Sequence, residues 1–234
     1  HKWIIPCNWK FAAENFLGDT YHNVSHRSVD LIGIGPSAEA GVKGRRDNEM
    51  EKAQHVWANF PAGHGVHSAI MPQDWEFLNT YQNNPVVAEY FREAHAKRKE
   101  RLGAERHRLI PFVGTIWPNT SFHGNQPRNL CVWHPHGPES TEAWRFFLVD
   151  ADAPQEVKDF LRIYYMRYSG PAGMTEQDDM ENWNYATAGS RGVIARRYPF
   201  NYQQSLGKVS TDAPVPGNAS VQVAPRSAAF TRRE

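Results

Sequence analysis

His22 and His26 lie four residues apart, with Asp19 three positions before the first of them and Asn15 four before that. Imidazole is neutral at working pH and is the commonest side-chain donor to zinc, copper and non-haem iron. On a helix, positions i and i+4 share a face within about 6 Å, so two imidazoles at this spacing can grip one ion. Helices also produce that spacing by chance, and the pair alone is weak evidence. Its neighbours strengthen it, because Asn15, Asp19, His22 and His26 make one polar stripe. Asp19 stands where a carboxylate can hold an imidazole N–H and fix its tautomer. A solvated helix face is the competing reading, but such a face more often carries Lys and Glu. A zinc-protease helix needs Glu directly after its first His as general base, and that position here is Asn23.

Two histidines need a third donor, best sought in Glu176-Gln-Asp-Asp-Met-Glu-Asn-Trp183, the most acidic stretch of the chain. Acidic residues at a helix start also simply complement its dipole. One carboxylate from this stretch would complete two histidines and one carboxylate, the facial set that leaves positions on Fe(II) open for O2.

The elements that must position these groups follow from periodicity and punctuation. Residues 1–10 read as a short strand leading into a helix from about Ala12 to Ser28, which carries both histidines. Residues 31–50 contain four glycines and then charges, as a long loop does. His55–Phe60 reads as a strand followed by a loop, Pro61 to His67. Val86–Arg108 has the pattern of a long polar amphipathic helix. Three strands come next, Pro111–Trp117, Asn129–His134 and Thr141–Asp150, the last alternating around Trp144, Phe146 and Leu148. Asp152 and Pro154 are an N-cap and an early helix proline for a helix to about Tyr168. Ser169-Gly-Pro-Ala-Gly173 ends it, and a second helix holds Thr175–Ala188. From Gly207 the composition turns to Pro, Ser, Ala and Val, as in a loop or edge segment. Strands clustered between helices imply an α+β fold, an antiparallel sheet with flanking helices.

The 234 residues suffice for one sizeable domain. With 40 % hydrophobic and 22 % charged residues the composition is that of a globular protein, and a net charge of +1 argues against nucleic acid as a partner. The basic run Lys97–Arg108 is interrupted by Glu100 and Glu105 and reads as a solvated helix face. No apolar stretch approaches the roughly 20 residues that span a bilayer, so no membrane association is expected. Two cysteines, Cys7 and Cys131, make no disulfide framework, which suits a cytoplasmic setting. The chain opens on His1 and closes on Glu234 without cap or tail signals. We expect a single catalytic domain over 1–234, excised from a longer polypeptide, with an irregular tail over 207–234.

The run Asn8-Trp-Lys, Glu14-Asn-Phe-Leu-Gly-Asp-Thr-Tyr-His22 and His26 resembles the iron-binding signature of Rieske non-haem iron ring-hydroxylating oxygenases, in the catalytic domain of their large (alpha) subunit. Further similarity lies at Gly63-His-Gly65, at Val132-Trp-His-Pro135 with Gly137-Pro138, at Val149-Asp-Ala-Asp-Ala-Pro154, and at Gly170-Pro-Ala-Gly with Gln177-Asp-Asp179. These run in the family's order across about residues 1–200. Enzymes acting on biphenyl, naphthalene and larger fused aromatics are the most similar.

The resemblance implies a helix-grip, START-like catalytic domain with His22, His26 and Asp179 as iron ligands. Asp178 is the alternative to Asp179. Asp19 matches the aspartate that passes electrons from the Rieske cluster of a neighbouring subunit, and Asn15 a pocket asparagine near the iron. Phe16, Asn23, His123, Ser169 and Thr175 fall where the family lines its substrate pocket. The implied reaction adds both atoms of O2 to an aromatic ring edge, giving a cis-dihydrodiol. NAD(P)H is the ultimate donor, through a reductase and ferredoxin. A trimer, or an alpha3beta3 assembly with a small subunit, is implied as well. A Rieske monooxygenase or demethylase, and a non-catalytic module for hydrophobic ligands, share this frame. The family usually separates its histidines by five or six positions, where this chain has four. Its [2Fe–2S] cluster needs two Cys and two His, and neither Cys7 nor Cys131 is expected to belong to such a motif. The cluster domain is therefore expected N-terminal to this chain, and the family's closing helix is expected beyond Glu234.

Overall fold

The computed structural model describes residues 1–18, 25–32, 53–72, 81, 83–200 and 220–225. Among these residues eight strands form one sheet: β1 (Lys2–Ile5), β2 (Gln54–Asn59), β3 (Gly65–Ile70), β4 (Leu109–Ile116), β5 (Thr120–His123), β6 (Asn129–Pro135), β7 (Thr141–Phe147) and β8 (Ser220–Pro225). Their order is β1-β7-β6-β5-β4-β3-β2-β8, and every neighbouring pair is antiparallel. Among the described residues five α-helices accompany them: α1 (Trp9–Gly18), α2 (Arg27–Ile32), α3 (Pro85–Arg106), α4 (Gln155–Tyr168) and α5 (Met174–Ser190). The expected α+β layout holds.

Alternation in the strands decides where the core lies. Ile5, Cys131, Trp133 and Ala143 point to the inner face, where Ala12, Ala13 and Phe16 of α1 and Trp183 of α5 close over them. Two alanines let α1 approach the sheet closely, and polar groups then pin it there. Thr115 Oγ1 donates to the Ala13 carbonyl at 2.8 Å, so the Ser121 hydroxyl, 2.8 Å away, must donate to Thr115. Ser121 Oγ in turn accepts Trp133 Nε1–H at 2.9 Å. One buried hydroxyl chain thus ties α1 to three successive strands. Asn8 caps α1 by accepting the Lys10 N–H on its side chain at 3.1 Å. A second cluster, built on Val87 and Phe91 of α3 with Val157, Leu161 and Tyr164 of α4, packs those two helices together.

Several expectations need correction. The single helix over 12–28 does not exist: α1 runs from Trp9 to Gly18, and His26 sits in a turn just before α2. Gly18 ends α1 and Ser25 lies in the turn, and glycine and short polar residues both weaken a helix interior. His26 therefore does not lie on the helix that carries Asn15. The loop expected over 61–67 stops short. Pro61–Gly63 is a single helical turn and β3 already begins at Gly65. A Cβ on Gly65 would lie 2.7 Å from Leu17, so the glycine marks the close approach of α1 rather than a loop.

The short β5 was not expected at all. In β7 the alternation is real but the buried face is the other one: Thr141, Ala143 and Arg145 point inward while Phe146 is exposed. Asp152 does not cap α4, because Pro154 occupies the N-cap without a side-chain bond. The described part of the C-terminal tail is β8, an edge strand on β2, one of the two forms its composition allowed. The expected loop over 31–50 lies outside the described residues save for 31 and 32, which end α2.

Ser121→Ala removes the acceptor of Trp133 Nε1 and the donor to Thr115. It should cost about 1–3 kcal/mol, read as a lower urea midpoint at unchanged slope.

Candidate metal centre

The turn from α4 to α5 sets the site. Ser169 ends α4 with its N–H on the Tyr165 carbonyl at 2.7 Å, and Gly170 takes φ +97, where a side chain would be strained. A Cβ on Gly173 would lie 2.6 Å from the Ser169 backbone, so the chain can fold back this tightly only with glycine there. Beyond it, Glu176, Asp179, Trp183 and Thr187 form the buried stripe of α5, at helical spacing. Two carboxylates in consecutive turns thus point into the protein, which is costly unless each is partnered.

Glu176 meets Arg145, the inward residue of β7, in an ion pair whose side chains are 2 % and 0 % exposed. The guanidinium lies 5.8–5.9 Å from the ring centres of Trp3, Phe16 and Trp133, whose faces favour a cation. Burial pushes the Glu176 carboxyl up to about 7; Arg145 draws it down, and the nearby Asp179 charge pushes it further up. Three more contacts hold α5. Trp3 Nε1 donates to Met180 Sδ at 3.1 Å, Trp183 packs edge-on to Trp133 at 5.3 Å, and Thr187 Oγ1 accepts the Asn8 N–H at 2.8 Å.

One turn after Glu176, two adjacent carboxylates straddle His26. The imidazole is fully buried. Its Nδ1 lies 3.1 Å from Asp178 Oδ2 and its Nε2 lies 3.3 Å from Asp179 Oδ1. Adjacent helix residues point about 100° apart, so one carboxylate reaches each side of the ring. Asp178 is 25 % exposed and Asp179 8 %. A buried imidazole nitrogen beside a buried carboxylate oxygen is a donor pair for a divalent ion. Among the described residues no three His, Cys, Asp or Glu side chains are arranged to hold an ion by themselves.

Of the residues expected at the site, the structure brings together His26 with Asp179 and Phe16 with His123. The last two rings meet edge-on at 5.1 Å, and Phe16 also lies against Trp133 at 5.8 Å. Ser169 and Thr175 are buried at the two ends of the tight turn, and the Thr175 hydroxyl has no hydrogen-bond partner. Asn15 is half-buried on α1. Asp19, His22 and Asn23 lie outside the described residues.

Sequence reasoning missed Arg145, because an arginine in an alternating strand reads as a solvent position. It also missed a histidine pair on the inner face, His55 Nδ1 to His67 Nε2 at 2.8 Å, with Trp57 stacked on His67 at 4.7 Å. His67 is in register with Val113 and Val113 with His123, one row across the sheet. Cys131 and His134 have Cys-x-x-His spacing, but an odd separation puts them on opposite faces of β6. Cys131 is buried inward, while His134 packs against outward-facing Trp144, so the two cannot share a cluster.

Comparison with known proteins matches residues 1–207 to the family described as ring hydroxylating alpha subunit (catalytic domain). The biphenyl dioxygenase alpha subunit of Paraburkholderia xenovorans is 37 % identical over 240 residues, covering 97 % of this chain and 49 % of that protein. The benzene 1,2-dioxygenase alpha subunit of Pseudomonas putida is 36 % identical over 236 residues, 97 % of this chain and 50 % of that protein. The chain thus spans about half the length of these relatives. Among solved structures, naphthalene 1,2-dioxygenase with indole bound in its active site superposes with a TM-score of 0.74 at 24 % identity, over 93 % of this chain and 48 % of that one. The naphthalene 1,2-dioxygenase of a Rhodococcus species superposes at 0.64 with 28 % identity, over 95 % and 50 %.

Arg145→Met leaves Glu176 buried without its cation and should cost about 3–5 kcal/mol in equilibrium urea unfolding. Adding Glu176→Leu should recover part of that loss, so that the double variant falls short of the summed single effects.

Proposed function

The chain belongs to the family of ring-hydroxylating alpha-subunit catalytic domains, and on that premise we propose that it is the iron-bearing part of an aromatic-ring dioxygenase. The observation that carries this is the buried His26–Asp179 donor pair at the start of α5. The donor chemistry fits ferrous iron, which takes imidazole nitrogen and carboxylate oxygen. His26 and Asp179 would hold the ion together with His22. Iron held there would supply the O2 chemistry, and the expected product of adding both oxygen atoms to one ring edge is a cis-dihydrodiol.

The chain's own residues bind, orient and exclude water. Phe16, edge-on to His123 and tilted against Trp133, offers an aromatic wall suited to aligning a flat apolar substrate. By the resemblance of their motifs, Ser169 and Thr175 of the α4–α5 turn and Asn23 would complete the lining. Asp19 would link the site to a Rieske [2Fe–2S] cluster carried by another domain, with Asn15 beside it. The names of the relatives, biphenyl and benzene dioxygenases, support an aromatic hydrocarbon as substrate. As alpha subunits they also support a multicomponent assembly; the resemblance of the motifs extends this to reductase and ferredoxin donors and to a trimer or an alpha3beta3 assembly with a small subunit. No helix among the described residues is long and apolar enough to cross a membrane.

Anaerobic titration of the assembled oxygenase should give about one Fe(II) per catalytic domain beyond the cluster iron, and Asp179→Ala should abolish that uptake. Iron retained in that variant removes Asp179 from the site. With labelled O2, the product should carry both oxygen atoms from one molecule; a single labelled atom contradicts the dioxygenase assignment.

A further inference from the structure

We propose that Asp178 is the positioning residue of the iron site: it holds the Nδ1–H of His26, so that Nε2 presents its lone pair on the side of Asp179. The inference rests on the iron-site reading above and adds to it which of two adjacent aspartates binds and which aims.

The geometry divides their labour. His26 has two ring nitrogens, and a neutral imidazole has one N–H and one lone pair. Asp178 Oδ2 faces Nδ1 at 3.1 Å and Asp179 Oδ1 faces Nε2 at 3.3 Å. The two carboxylates cannot exchange roles, because a rotation of α5 that brought one to the other's place would break the contacts on its buried stripe. Arg145–Glu176 precedes them by a turn and Trp183 on Trp133 follows by a turn. Asp178 keeps a quarter of its side chain in water while Asp179 keeps 8 %. An ionised acceptor that orients a ring tolerates that exposure, whereas the drier carboxylate is better shielded from water competing for an ion.

His26 needs such an aid for a backbone reason. It lies in a turn before a six-residue helix, where no helical periodicity sets the direction of its ring. A carboxylate on the rigid α5 supplies the direction instead. The N–H of a ligating histidine commonly rests on a carboxylate in this way, and losing that partner weakens metal binding about 10–100-fold.

The test compares variants of the assembled oxygenase loaded with Fe(II), or with Co(II) as a spectroscopic probe. Asp178→Ala should keep one metal per site and bind it about 10–100-fold more weakly, while Asp179→Ala should take up none. Asp178→Asn, whose amide oxygen still accepts the N–H, should fall between Asp178→Ala and the unaltered protein. In the Co(II) form, proton NMR should show the shifted, slowly exchanging Nδ1–H of His26, with that signal lost to exchange in Asp178→Ala. Asp178→Leu keeps the shape without the acceptor and gives the same result should the alanine variant not fold. Unchanged affinity together with an unchanged Nδ1–H signal overturns the inference. So does loss of metal in Asp178→Ala with retention in Asp179→Ala, which would make Asp178 the ligand. If the unaltered protein takes up no metal at this site, the iron reading fails first, and that result is distinct because it precedes any variant.

Discussion

The buried pairing of Arg145 with Glu176 is the constraint on which the site depends. Two full charges away from water are held at a cost that their attraction only roughly offsets, so the pair is not a source of stability in the ordinary sense. Its effect is placement. Arg145 projects from the middle of a strand packed between β1 and β6, and Glu176 sits one turn before Asp179. Locking those two side chains together sets both the rotation and the height of α5 on the sheet. Trp3 on Met180, Trp183 on Trp133 and Asn8 on Thr187 repeat the anchoring along the helix. Asp178 and Asp179 then have no freedom but to straddle His26.

The opposite wall is fixed by a different kind of interaction. The hydroxyl chain from the Ala13 carbonyl through Thr115 and Ser121 to the Trp133 indole binds α1 to the sheet centre. Phe16 is carried on that helix and meets His123 of β5 edge-on. The aromatic wall and the carboxylates therefore sit on separate helices, each pinned independently to the same sheet face. Trp133 is common to both, touching Phe16 on one side and Trp183 on the other. Its burial makes the two walls one rigid body, the condition for holding a substrate and a metal at a constant distance.

Much of this was legible in the chain. The long helix at 85–106, the helix pair around Gly170–Gly173 and five of the strands follow from periodicity and from glycine and proline punctuation. The resemblance of ordered motifs pointed to Asp179, while residue chemistry alone could say only that an acidic helix start was near. The misreadings share a cause: tertiary contact overrode the local pattern. Gly65 reads as a loop until α1 is known to press on it. The apolar alternate residues of β7 read as the core face until Arg145 is seen to have a buried partner from a helix about thirty residues later. His26 reads as helical because four is a helical interval, yet it sits in a turn where Asp178 of α5 meets its ring. No sequence rule for spacing could have revealed Asp178 on Nδ1, since that contact joins two segments placed by the sheet.

The central claim is that His26 and Asp179 share an iron ion. Anomalous difference maps from crystals of the oxygenase, collected on either side of the iron edge, test it most directly. The account requires an iron peak bonded to His26 Nε2 and an Asp179 carboxylate oxygen, with Asp178 on the far side of the imidazole. A mononuclear iron peak elsewhere, or one bonded to Asp178 in place of Asp179, contradicts it.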